Sequence, residues 1–250
     1  MGKQYYSQTY YQSISGPSRL AAEVILPHLD DAIHPRSIVD VGCGAGAWLE
    51  VWIRALGRTD VAGIDGSYVE EDQLLIPGHL FQARDVSEPF ELSRRFDLAM
   101  ALEVAEHLEP ARSEGFVDNL VRLSDRVLFS AAPPGQGGLN HINERPYGYW
   151  KALFEGHGYR TFDYIRPYAL KSPNLEPWFK YNPFLFVRES ACDQLPETVL
   201  RTLIAKGTKA PDLSPLAWKG RRFILSRMPV PVISALSGLK HRMTVLWGGA

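Results

Sequence analysis

The stretch IVDVGCGAGAWLEV, residues 38–51, constrains the fold more than any other part of the chain. A short apolar run breaks at three alternate glycines, Gly42, Gly44 and Gly46, and apolar residues then resume at helical spacing. A buried strand that turns through glycines into a helix is the opening unit of an open parallel α/β sheet. Missing side chains let the backbone turn tightly and approach a ligand, while the helix start presents unpaired N–H groups. GCGAGA also satisfies the glycine-x-glycine-x-x-alanine pattern of dinucleotide sites, a weak signal by itself. Asp40 sits inside the apolar run, two residues before the first glycine. A buried carboxylate is costly unless paired, and a diphosphate beside it would be repelled, so the ligand it implies is cationic.

Strand and helix patterns alternate along the rest of the chain. SRLAAEVILPHL reads as a helix with Ser18 as its N-cap, and AWLEVWIRAL as a helix ended by Gly57. DVAGID, HLFQARD, FDLAMAL and RVLFSAAP read as strands, with PARSEGFVDNLVRLS and YGYWKALFEGHG as helices. YRTFDYIRP and PFLFVRES form a closing antiparallel pair. The expected fold is α/β: a doubly wound, mostly parallel, seven-stranded Rossmann-like sheet with an antiparallel last strand and a C-terminal helical tail. Residues 1–35 are expected to form an N-terminal lid and helix, 36–190 the ligand-binding domain, and 191–250 a basic amphipathic extension.

With 250 residues and 45% hydrophobic content the chain can bury one full core. A net charge of -1 argues against a general nucleic-acid coat. The two cysteines, Cys43 and Cys192, are too far apart for a disulfide framework or a zinc spacing. The N-terminus lacks the apolar stretch of a secretion signal, and Tyr6 breaks the myristoylation pattern that Gly2 begins. No apolar run spans a bilayer. These features predict a cytoplasmic protein.

Two more acids mark the rim of the sheet. Asp65 ends the second strand in GIDGS, about 20 residues past the glycine turn, where a carboxylate accepts ribose hydroxyls. Asp85 ends the third strand in ARDVSEPF. With VDVGCGAG before them and FDLAMALEVAEHL after, these motifs resemble, in order and spacing, those of class I S-adenosylmethionine-dependent methyltransferases from about Tyr10 to Glu189. The resemblance implies that Gly42 and Gly44 contact the donor's amino-acid portion and that Asp65 holds its ribose. It also implies that Asp85 and Val86 read the adenine, that Leu102 lines the methionine chain, and that Asp40 orders the loop near the donor's ammonium and sulfonium.

The acceptor side follows the fourth and fifth strands. LEVAEHLEP supplies Glu103, Glu106 and His107, and APPGQGGLNHINERPYGYW supplies Asn140, His141, Asn143 and Glu144. The expected catalytic residues are His141, His107 and Glu144. Glu103-x-x-Glu106-His107 followed by His141 resembles the divalent-metal set of small-RNA 3′-terminal 2′-O-methyltransferases and ubiquinone-pathway O-methyltransferases, which implies Mg²⁺ or another divalent cation on those four side chains. The competing reading has the same glutamates bracing the donor pocket without metal. The four N-terminal tyrosines Tyr5, Tyr6, Tyr10 and Tyr11 read as a lid over the donor or as a core patch. Trp178, Phe179 and Tyr181 read as acceptor-pocket walls or as core.

These readings lead to an O-methyltransferase acting on a small hydroxylated acceptor, a sugar or secondary metabolite. RNA terminal-ribose 2′-O-methylation and a catalytically inactive donor-binding scaffold are the alternatives. RNA is disfavoured because the body is acidic: from Arg201 onward nine Lys or Arg meet one acid, leaving the tail near +8 and the remainder near -9. This basic tail, with its interleaved apolar residues, reads as packing on the domain or on a second subunit, as a contact with an anionic membrane surface, which would make the protein peripheral at the membrane, or as a grip on a phosphate-bearing acceptor such as RNA.

Overall fold

The computed structural model describes residues 8–229, 232–233, 235 and 237–238, with side chains from Ser15 onward. The expected tyrosine lid lies outside the described side chains.

The chain opens with helix α1 (Gln8–Ile33) and continues through β1 (Ser37–Val41), α2 (Ala47–Arg54), β2 (Asp60–Asp65), β3 (Phe81–Ala83) and β4 (Leu98–Leu102). It then runs through α3 (Ser113–Leu123), β5 (Arg126–Ser130), α4 (Tyr147–Gly156) and β6 (Tyr159–Phe162). Two short helices, α5 (Arg166–Ala169) and α6 (Pro177–Tyr181), precede β7 (Phe184–Arg188), and α7 (Glu197–Leu200), β8 (Leu203–Ile204) and α8 (Leu216–Leu225) follow.

The sheet order is β3-β2-β1-β4-β5-β7-β6-β8. The first five of these strands are parallel, β7 inserts antiparallel between β5 and β6, and β8 pairs antiparallel with β6. The parallel arrangement brings the carboxyl ends of β1, β2, β4 and β5 to one edge, the usual ligand crevice of an open sheet. Side-chain alternation feeds two cores. Ile38, Leu98, Met100 and Leu128 pack with α1 and α2, whereas Val39, Val41, Ala99, Val127 and Phe129 pack with α3 and α4.

Three expectations change in detail. Ser18 is not a cap, because α1 runs through it and through Pro17 and Pro27. The sheet has an eighth strand, since Leu203 and Ile204 pair with Phe162 and Thr161. The C-terminal extension is therefore part of the sheet before it becomes a tail. Gly57, at φ 67°, does close α2, with the Arg58 amide reaching back to the Trp52 carbonyl.

Candidate active site

The glycine turn is shaped by its neighbours as much as by its ligand. Gly42 has φ 81°, and a Cβ there would lie 2.4 Å from a methyl of Val104, in the loop after β4. Only glycine lets these two rim loops meet. The Gly42 and Cys43 amides both donate to the Ile64 carbonyl at the end of β2. Asp65 then ties the rim together. One carboxylate oxygen accepts the Gly44 amide at 2.7 Å, and the other accepts the Gly66 amide at 2.6 Å and the Tyr68 hydroxyl at 2.5 Å. Burial raises the Asp65 pKa, and these three hydrogen bonds oppose that rise.

Asp40 pairs in register with Gly63 and Met100 in the middle of the sheet and is 2% exposed. Burial, with the charge of Asp65 second, lifts it to about 8. A carboxyl held in this way fits a cation at the rim. Asp85 is exposed, and its carboxylate accepts the Ser87 amide and hydroxyl, which lower its pKa. Val86 beside it is buried, and Leu102 is half-buried at the end of β4.

Across the rim from the glycine turn, the loops after β4 and β5 are stapled together. The Ile142 and Asn143 amides both donate to the Glu106 carbonyl, and the Asn143 side chain donates to the Ala105 carbonyl and the Ser113 hydroxyl. That staple brings Glu106, His107 and His141 together, with one ligand atom from each lying within 4.8 Å of the others. His107 Nδ1 lies 3.3 Å from the Asn140 carbonyl and His141 Nδ1 lies 3.1 Å from Glu144. A carbonyl oxygen can only accept, so the Asn140 contact places a proton on Nδ1 of His107, while the Glu144 carboxylate orients the His141 ring. Burial, followed by the charge of His141, drives His107 down to about 3, so it is neutral near pH 7.

Glu106 is fully buried, and among the described residues neither of its carboxylate oxygens has a hydrogen-bond partner. Burial and the neighbouring Glu103 push its pKa well above the usual carboxylate range. Glu103 lies beside Glu106 but has other partners of its own. It adopts φ 56°, and its two oxygens accept from the Asn182 and Gln136 side-chain amides. Of the four side chains expected to hold a cation, Glu106, His107 and His141 converge, while the Glu103 carboxylate accepts from two side-chain amides.

Gln136, Asn182 and Tyr147, whose hydroxyl donates to Asn182, were not singled out in the sequence. Gln136 lies between two glycines, but Asn182 is 79 residues from Glu103, and no local pattern reports that contact. Phe179 packs edge-on against Trp48 in the core rather than lining a pocket, while Trp178 and Tyr181 are half-buried. A cavity of about 360 Å³ lined by Phe90, Arg94, Arg95 and Arg122 lies at the opposite edge, where β4 begins, and has no part in this rim.

A parallel sheet with a glycine turn, two acids on adjacent strand ends and a facing Glu-His-His group has the ligand crevice of an open α/β sheet at this rim. Residues 12–162 match the methyltransferase-domain family, and the chain belongs to that family. No curated protein sequence gives a significant match.

Solved structures with the same fold include an O-methyltransferase family protein from Burkholderia thailandensis, with TM-score 0.55 and 11% identity over 72% of this chain and 58% of that one. The methyltransferase domain of bacterial CtHen1-C has TM-score 0.51 and 19% identity, over 68% of this chain and 97% of that one. The sugar N-methyltransferase KedS8 from a Streptoalloteichus species has TM-score 0.50 and 15% identity, over 68% and 86%. The fold is that of S-adenosylmethionine-dependent methyltransferases.

Proposed function

We infer that the protein transfers the methyl group of S-adenosylmethionine to a hydroxyl of a small acceptor, with a divalent cation such as Mg²⁺ held by Glu106, His107 and His141. The observation that carries this reading is the buried Glu106 carboxylate, which lacks a hydrogen-bond partner and converges with two imidazoles. A buried carboxylate without a donor is unfavourable by several kcal/mol in order of magnitude, and a cation removes that penalty. One carboxylate and two neutral imidazoles suit Mn²⁺, Fe²⁺ or Zn²⁺, as well as Mg²⁺ completed by water.

S-adenosylmethionine supplies a methyl group activated by its sulfonium, and a divalent cation makes a bound hydroxyl more acidic. The chain's own residues do the positioning. Asp65, set by the Gly44 and Gly66 amides, receives the ribose hydroxyls, and Asp40 faces the donor's positive charge. Val86 and Asp85 flank the adenine, and Leu102 the methionine chain. Glu144 and the Asn140 carbonyl lie against Nδ1 of His141 and His107 and orient both rings, each of which would offer Nε2 to a cation. Without a cation, His141 Nε2 is instead placed to take the acceptor's proton as general base. Methyl transfer is an in-line displacement, so its rate depends on this alignment more than on any covalent step.

A cation held by the same three side chains would also suit the neighbouring hydroxyls of an RNA terminal ribose, which is the second reading. The acidic body, near -9, weighs against it. Incubation with methyl-labelled donor and separate pools of sugars, phenols and RNA distinguishes these readings. Label entering sugars or phenols supports the first and label in RNA the second. An unlabelled result in every pool, with donor binding intact, favours the inactive scaffold.

A further inference from the structure

Among the described residues eight large apolar side chains are exposed, and six of them, Leu203, Leu213, Leu216, Phe223, Ile224 and Val232, fall in the C-terminal extension. The same segment carries the chain's basic charge, near +8 from Arg201 onward. Helix α8 shows how the two properties are arranged. Trp218, Arg222 and Leu225 are half-buried at spacings of four and three, forming an inner face. The Arg221 and Arg222 guanidiniums donate to the Gln136 and Pro134 carbonyls, and a Cβ on Gly135 would lie 1.9 Å from the Arg222 carbonyl oxygen. The inner face is therefore seated on the loop after β5.

The opposite face is different. Leu216, Phe223 and Ile224, at spacings of seven and eight, are 84%, 61% and 64% exposed. Arg227 lies over the Phe223 ring at 3.3 Å, and Lys206 and Lys209 are exposed earlier in the extension. Exposed apolar side chains with the Arg227 guanidinium among them, and with Asp212 turned inward to Arg222, match the boundary between acyl chains and anionic headgroups. A second copy is the poorer occupant. A two-fold contact would bring this face against itself and set like charges together.

We propose that the outer face of α8, with the flanking extension, docks on an anionic lipid surface. Because the inner face grips residues 134–137, docking sets the rim formed by the β4 and β5 loops close to the bilayer. This proposal is independent of the acceptor and of the metal.

Flotation of the full chain with phosphatidylcholine vesicles, with and without about 30% phosphatidylglycerol, tests it. The protein should float with the anionic vesicles and not with the neutral ones, and added salt should release it. Leu216→Ser/Phe223→Ser/Ile224→Ser changes only exposed side chains and should lower vesicle binding by about tenfold or more while S-adenosylmethionine affinity stays intact. Failure to float with anionic vesicles overturns the proposal, as does equal flotation of the triple variant. A triple variant that converts a dimer to a monomer, with no vesicle binding by either protein, assigns the face to a second copy instead.

Discussion

Glu144 Oε1 lies 3.1 Å from His141 Nδ1 and also accepts the Gly137 amide at 2.7 Å, while Oε2 accepts the Gly135 amide at 2.7 Å. One carboxylate thus fixes both the imidazole and the loop that carries it. Glu144→Gln keeps the side-chain volume but has one carbonyl oxygen for three donors. It should lower kcat by about 10–100-fold, as loss of an orienting partner typically does, and leave donor affinity unchanged. His141→Ala should lose about 10²–10⁴-fold. Steady-state kinetics with calorimetry in parallel checks both, and a fully active His141→Ala protein would remove His141 from the chemistry.

Asp65 joins the end of β2 to the Gly44 amide. Asp65→Ala should weaken S-adenosylmethionine binding by about 1–3 kcal/mol, through lost hydrogen bonds to the ribose and a loosened glycine turn. Asp65→Asn retains one acceptor oxygen and should fall between the two in calorimetric titrations. Unchanged affinity in Asp65→Ala would place the ribose elsewhere.

Asp40 gives the donor site a pH dependence with a definite sign. Its folded pKa is raised to about 8, so between the ordinary carboxylate range and about 8 the folded apo protein holds a proton that the unfolded chain has released. Apo stability from this group is full at low pH and declines as pH rises through that window. A cationic donor favours ionised Asp40, so binding should release a proton and tighten as pH rises towards about 8. Calorimetry in two buffers of different ionisation enthalpy reads the proton directly. Asp40→Asn should abolish the Asp40 part of that release, and equal proton release by both proteins would refute the assignment.

The placement of the glycine turn and the rim acids on one sheet edge was legible in the sequence because its determinants are local. A glycine turn after one strand and acids at two strand ends are spaced by the βαβ repeat itself, so Gly42, Gly44, Asp65 and Asp85 arrive on one edge once the strands are parallel. The acceptor half depends on contacts that no period encodes. Glu103 looks like a ligand beside Glu106 and His107, yet Asn182 and Gln136, from two other loops, engage it. The seating of α8 rests on Arg221 reaching the Gln136 carbonyl 85 residues away. Charge and amphipathicity announced that the tail was unusual; only the fold says which face is covered.

Glu106 is where the proposed metal can be tested. Its carboxylate is buried without a hydrogen-bond partner among the described residues, and burial together with Glu103 disfavours its charge. A structural role alone gives no reason to keep such a group, because glutamine has the same volume and no charge to bury. Glu106→Gln should therefore fold at least as stably as the natural chain in chelator. Mn²⁺ or Mg²⁺ at about 100 times its dissociation constant should stabilise the natural protein by about 2.7 kcal/mol, seen as a rise in Tm, and leave Glu106→Gln unmoved. Chelator should abolish turnover without changing S-adenosylmethionine affinity, and the cation should restore it. If the natural protein shows no cation-dependent Tm and remains fully active in chelator, the cation is eliminated and His141 is left as the base, held in place by Glu144.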